Sequence, residues 1–282
     1  MYDAIIVGSG PAGLSAAIYL KRANLSVLVI GKDGGALSKA EKIDNYFGID
    51  GAPSGNDVLE IGKNQALKLG ADILTAEVLG AGWDGNFTVD TTEGNFSGKS
   101  LILAMGKSRK QPNVKGLQNF EGKGISYCAV CDAFFFRGKN VAVLGNGNYA
   151  RHEAEYLSNV ANSVIVLTNG EDTKDIEGFE VISKKISHLE GAERLERIVF
   201  DEGSIEVDGL FVAQGFAGAT ELATKLGVMC NDGNIIADEN CKTNLDGCFA
   251  AGDCIGGILQ LSTAVGEGAK AALSAIKYVK SK

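Results

Sequence analysis

The feature that most constrains the fold is a strand running straight into a glycine-rich turn. Residues Tyr2 to Val7 read as a β-strand and are followed by Gly8-Ser9-Gly10-Pro11-Ala12-Gly13. A helical pattern from Leu14 to about Arg22 comes next, then a second strand from Ser26 to Ile30. A bare GxGxxG string is a weak signal, but within a βαβ unit it is a dinucleotide-binding fingerprint. The glycines let the backbone approach a pyrophosphate, the helix N-terminus meets its charge, and Pro11 suits the first helical turn. The pattern then repeats. Asn140–Leu144 is a strand, Gly145-Asn146-Gly147-Asn148-Tyr149-Ala150 the turn, Arg151–Asn159 a helix and Ser163–Thr168 another strand. Two such openings predict an α/β chain with two dinucleotide-binding, Rossmann-like domains.

Composition narrows the partners. With 282 residues the chain is long enough for two ordinary domains, and 45% apolar residues suffice for their cores. A net charge of −8 argues against nucleic acid or an anionic membrane as main partner. No apolar run approaches the length of a membrane span, and Met1-Tyr2-Asp3-Ala4-Ile5 lacks a basic leader, so a cytoplasmic location is expected. Cys230, Cys241, Cys248 and Cys254 are irregularly spaced, and His152 and His188 are the only histidines. A metal site is therefore not expected, and those four read as reduced structural thiols.

Cys128-Ala129-Val130-Cys131-Asp132 stands apart, because two cysteines two residues apart form a dithiol able to close to a disulfide and reopen. The adjacent Asp132 carboxylate suits proton handling. Between the first unit and this motif, Lys99–Leu103 is a buried-type strand ending in Ala104-Met105-Gly106, and a polar linker surrounds Lys107 to Pro112. Near the C-terminus, Gly247–Ala251 forms a short strand ending in Gly252-Asp253. Gln260-Leu261 then leads into an alanine-rich helix reaching about Val279, for which Ser262 or Thr263 is the expected cap.

Taken in this order, Gly8–Gly13, Ala104-Met105-Gly106 (more commonly Ala-Thr-Gly), Cys128–Asp132 with Ala133-Phe134-Phe135, and Gly252-Asp253 closely resemble the low-molecular-weight thioredoxin reductase family of flavoproteins. The resemblance spans nearly the whole chain. It implies an FAD-binding domain from residues 1–109 and 216–282, with a CxxC-bearing domain, 110–215, inserted into it. It also implies FAD contacts at Gly8, Ser9, Gly10, Pro11, Ala12, Gly13, Gly34, Gly35, Ala36, Asn45, Ala104, Gly106, Gly252, Asp253, Gln260 and Leu261. Ser9, Gly10 and Ala12 would face the pyrophosphate, Asp253 the ribityl or phosphate region, and Gln260 and Leu261 the flavin ring. By the same resemblance Cys131 faces the flavin, Cys128 attacks a thioredoxin disulfide, Asp132 moves the proton, and the protein is a homodimer.

The second βαβ unit departs from that family. Where the usual members carry an arginine-rich stretch after the second strand, this chain has Leu167-Thr168-Asn169-Gly170-Glu171-Asp172-Thr173-Lys174. Guanidinium groups grip a 2′-phosphate; carboxylates repel it. Tyr149 stands where a small residue would leave room for a pyrophosphate. The polar stretch from Asn169 to Phe179, broken by Gly170 and Gly178, is too short for a full crossover helix. NADPH should therefore bind poorly. The leading expectation is ferredoxin as electron donor, as in the ferredoxin-dependent flavin thioredoxin reductases, with a local basic patch from Lys107, Arg109, Lys110, Arg137 and Lys139 for an acidic partner. An NADH- or NADPH-dependent reductase, with Glu171 or Asp172 suiting a ribose hydroxyl, and a related flavoprotein with another donor remain open.

Overall fold

The structure, a computed structural model, describes all residues except 33, 107–111, 128, 174, 175 and 215–217, and leaves the side chains of Val130 and Cys131 undescribed. In chain order the first elements are β1 (Tyr2–Val7), α1 (Pro11–Arg22), β2 (Val27–Gly31), α2 (Gly55–Lys68), β3 (Asp72–Thr75), β4 (Val78–Trp83), β5 (Phe87–Thr91) and β6 (Gly94–Leu103). There follow β7 (Ile125–Ser126), α3 (Ala129–Asp132), β8 (Asn140–Leu144), α4 (Asn148–Ser158), β9 (Ser163–Leu167) and β10 (Glu180–Ile182). After β11 (Ile186–Glu190), β12 (Arg197–Phe200), β13 (Ser204–Glu206) and β14 (Gly209–Val212), the chain continues through α5 (Ala219–Lys225), β15 (Cys230–Asn231), β16 (Asn234–Ile235), β17 (Cys248–Ala250) and α6 (Leu261–Lys280).

Two compact units emerge: Met1–Arg109 with Gly218–Lys282, and Lys110–Ala217 between them. In the first, β3, β2, β1, β6 and β17 form a parallel sheet. The N-terminal half of β6 also pairs antiparallel with β5, and β5 with β4. The apolar runs Ala4–Val7, Val27–Ile30 and Leu101–Leu103 are buried on both faces, as a parallel sheet under two layers requires. In the second unit β10, β9, β8, β14 and β7 are all parallel, and β11–β13 make a separate antiparallel sheet. The fold is thus α/β with two Rossmann-like units, the second inserted into the first.

Three local expectations are corrected. Helix α1 begins at Pro11 rather than Leu14, and α4 at Asn148 rather than Arg151, because the turn residues themselves take helical geometry. Helix α6 is capped by neither Ser262 nor Thr263: Gln260 is its N-cap, without a side-chain cap, and both hydroxyl residues lie in the first turn. As expected, β9 and β10 are parallel neighbours with no helix among the described residues joining them. Gly170 and Gly178 there adopt positive φ, +87° and +83°.

Candidate active site

The first glycine turn shows why each glycine is present. Gly8 has φ +119°, and a Cβ there would lie 2.1 Å from the Ala104 carbonyl oxygen, because the Ala104 amide donates to Val7 O at 2.7 Å as β6 crosses beside it. A Cβ on Gly13 would strike the Gly8 carbonyl oxygen at 1.9 Å, so the helix packs tightly over the strand. Gly10 alone among the three has open space, nothing lying within 4 Å of its would-be Cβ. It is the N-cap of α1 and offers no side-chain cap to the helix. An open backbone cradle at an uncapped helix N-terminus is where a pyrophosphate fits.

The C-terminal segment closes on this turn. Gly268 of α6 approaches α1 so closely that a Cβ would sit 2.1 Å from the Ala12 carbonyl oxygen, and one on Gly252 would sit 3.0 Å from the Ala12 Cβ. Gly252 donates its amide to Glu267 Oε2 at 2.9 Å, which anchors the Gly252-Asp253 turn on α6. Burial pushes the Glu267 carboxyl above the usual range, while the Gly252 amide opposes that rise. Asn45 donates to Gln260 Oε1 at 3.3 Å, joining two expected cofactor residues 215 positions apart. A Cβ on Gly34 would meet Leu59 of α2 and Ser38, whereas Gly35, with φ +61°, has open space around it. Gly106, with φ +72° and open space around it, continues from buried Ala104. Gly10, Gly35 and Gly106 thus leave backbone open in a unit whose α1 and α6 both start uncapped. These residues fit FAD, the cofactor of the fold family.

In the inserted unit, Cys128 lies outside the described residues; Cys131 contributes backbone to α3, its side chain undescribed. Asp132 is half-buried and accepts the Ser126 hydroxyl at 2.7 Å. Phe134 and Phe135 follow as an exposed pair, 72% and 67% accessible, their rings edge-to-face at 6.1 Å. The four other cysteines are free. Burial pushes the Cys248 and Cys254 thiols up to about 12 and the Cys241 thiol up to about 11, so they stay protonated at neutral pH.

The second glycine turn repeats the geometry of the first. The Ala213 amide donates to Leu144 O at 2.8 Å, and a Cβ on Gly145 would meet Ala213 O at 2.3 Å. Tyr149 stands at the entry of the turn into α4, as expected, but leaves the turn itself. Its side chain, 2% exposed, points inward to pack with Val143, Leu157, Val166 and Phe211. Glu171 is tied to the turn: its Oε2 accepts from Asn146 Nδ2 at 2.8 Å and its Oε1 from Gln214 Nε2 at 3.2 Å. Sequence reasoning missed this bracket, whose members lie up to 68 positions apart. Of the basic residues expected to form a patch, Lys107, Arg109 and Lys110 lie outside the described residues; Arg137 stands over the Phe134 ring at 5.7 Å and Lys139 over Phe136 at 5.5 Å.

Comparison with known proteins defines the class. Residues 2–268 match the family described as pyridine nucleotide-disulphide oxidoreductase. The thioredoxin reductase of Aquifex aeolicus is 34% identical, covering 100% of this chain and 94% of its own length. Among solved structures, the atypical thioredoxin reductase TRi from Desulfovibrio vulgaris Hildenborough is 40% identical with a TM-score of 0.96, covering 100% of this chain and 99% of that one. A ferredoxin-flavin thioredoxin reductase from Clostridium acetobutylicum is 32% identical with a TM-score of 0.75, again covering 100% and 99%. The chain belongs to the low-molecular-weight thioredoxin reductase family of pyridine nucleotide-disulphide oxidoreductases.

Proposed function

We propose that this protein is a thioredoxin-disulfide reductase in which Cys128 and Cys131 carry the exchange. The Cys128 thiolate attacks the thioredoxin disulfide, forming a mixed disulfide and expelling one thioredoxin thiolate. Cys131, deprotonated, then attacks the Cys128 sulfur; the Cys128–Cys131 disulfide closes and thioredoxin leaves as a dithiol. Asp132, held by Ser126 at 2.7 Å, takes the Cys131 proton and supplies it to the leaving thiolate. Exposed Phe134 and Phe135 beside the motif suit docking of a protein partner. Bound FAD would supply the two-electron carrier that returns the disulfide to the dithiol. Gly8, Ser9, Gly10, Pro11, Ala12, Gly13, Ala104 and Gly106 would hold its pyrophosphate end, and Gly34, Gly35, Ala36, Asn45, Gly252, Asp253, Gln260 and Leu261 the rest. The proposal extends to a homodimer in a reducing cytoplasm, where free cysteines are stable.

For the donor, the second unit argues against NADPH: no arginine lies between β9 and β10, and the acid Glu171 is bonded to Asn146 of the turn instead. We therefore assign a donor other than NADPH. The similarity to the thioredoxin reductase of Aquifex aeolicus and to the atypical thioredoxin reductase of Desulfovibrio vulgaris, nearer in fold than the ferredoxin-flavin enzyme, supports a pyridine-nucleotide or another donor over ferredoxin. Within that reading NADH is favoured by one observation, the Glu171 carboxylate four residues after β9, where an acid suits a ribose hydroxyl. Anaerobic titration of the flavin absorbance with NADPH, NADH and reduced ferredoxin in turn decides the matter; rapid bleaching by NADPH would sink the assignment. Cys128→Ser should leave flavin reduction intact and abolish thioredoxin reduction.

A further inference from the structure

The carboxyl edge of the parallel sheet in the cofactor unit carries an ion pair that the expected FAD contacts do not include. Strands β1, β2 and β3 run parallel, so the turns leaving them lie side by side. The Gly8 amide donates to Ile30 O at 2.7 Å, and the Ala76 amide to Gly31 O at 3.2 Å. Gly31 abuts the first glycine turn, since a Cβ on it would lie 2.1 Å from Ser9 Oγ. Lys32 and Glu77 are the next residues along, and Lys32 Nζ meets Glu77 Oε2 at 2.8 Å. The Lys32 side chain is half-exposed, whereas that of Glu77 is 8% exposed. The Glu77 backbone is pinned twice: its amide donates to Thr92 Oγ1 at 3.2 Å, and its carbonyl accepts the Thr92 amide at 3.0 Å. Among the described residues nothing donates to its second oxygen, Oε1, which is buried. A buried carboxylate with one oxygen unserved costs stability that an apolar residue in its place would spare.

We propose that Lys32 is a contact for the adenosine half of FAD, with Glu77 as the positioning residue that holds its ammonium in place. The proposal rests on the FAD reading of this unit. With a pyrophosphate at the glycine turn after β1, the adenosine ribose of a dinucleotide lies over the end of β2. Lys32 is the residue directly after β2, beside Ser9 of that turn. An acid in this place accepts from ribose hydroxyls; an ammonium donates instead, to the ribose oxygens and the adjoining phosphate. A lysine on its flexible four-carbon stem is costly to order when a ligand binds. Its bond to a buried, backbone-pinned carboxylate meets that cost in advance, which gives Glu77 its use.

The test is FAD release from the holoenzyme on dilution, followed by the fluorescence of the freed flavin, with the visible absorbance of the bound flavin recorded alongside. Lys32→Met should weaken FAD binding about tenfold. Lys32→Arg keeps the charge and should stay within about threefold of wild type. Glu77→Gln keeps the shape but removes the ion pair, and should weaken binding about threefold. All three should keep the wild-type flavin absorbance maxima, because the contact is to the adenosine end and not to the ring. Wild-type affinity in Lys32→Met or in Glu77→Gln, Lys32→Arg falling as far as Lys32→Met, or a shifted flavin spectrum would overturn the proposal. A wild-type protein that holds no FAD would instead overturn the cofactor reading itself.

Discussion

Gly8 concentrates the demands of the cofactor unit in one residue, because its φ of +119° and the Ala104 carbonyl both exclude a side chain. Gly8→Ala should cost about 3 kcal/mol of stability by combining backbone strain with an unavoidable clash. Urea unfolding of the variant, with the flavin released per mole measured alongside, checks both consequences. Asp3 offers a different single-residue prediction. The Lys99 ammonium at 2.7 Å, with further help from Ser26, holds its carboxyl down at about 2. A depressed acid stabilises the fold above its unfolded value near 3.8 and loses that contribution as pH falls toward 2. The thermal midpoint gap between wild type and Asp3→Ala should hold steady from pH 7 to pH 5 and shrink between about pH 4 and pH 2.

Among the elements, α6 sits against α1 through a glycine. Gly268→Val would push its side chain into the Ala12 carbonyl and lift the helix, costing about 3 kcal/mol and weakening flavin retention; calorimetry and the flavin-to-protein absorbance ratio read the two effects. Both βαβ openings were legible in the sequence, because a buried parallel strand is a continuous apolar run and a glycine turn punctuates it plainly. That no helix joins β9 and β10 among the described residues was legible too, from Gly170, Gly178 and a short polar stretch. The inward turn of Tyr149 was not: a first-turn helical residue faces solvent or core according to the helix's rotation, which eleven residues of mixed polarity leave ambiguous. Nor was the uncapped start of α6, since Ser262 and Thr263 compete with Gln260 as N-cap on propensity alone. The bonds of Glu77 to Lys32 and of Glu171 to Asn146 and Gln214 join elements distant in sequence, and no local pattern announces them.

At the scale of the whole molecule, the inserted unit is a continuous stretch of chain, while the cofactor unit is assembled from both ends. The four described cysteines buried or half-buried in the C-terminal part of the cofactor unit are free, and burial keeps the Cys241, Cys248 and Cys254 thiols protonated at neutral pH. β6 is the seam of that assembly: Leu101, Ile102 and Leu103 pair on one side with Ile5, Ile6 and Val7, and on the other with Cys248, Phe249 and Ala250. During synthesis on the ribosome, that second ladder is unavailable until the last part of the chain has emerged. The stretch from Lys110 to Ala217 is then free to fold first, while the first hundred residues wait with one face of β6 and one face of α1 uncovered. Stalled nascent chains probed with protease should show protection of the middle segment before that of the N-terminal one. A chaperone that shields a single sheet edge would find its natural moment in that interval.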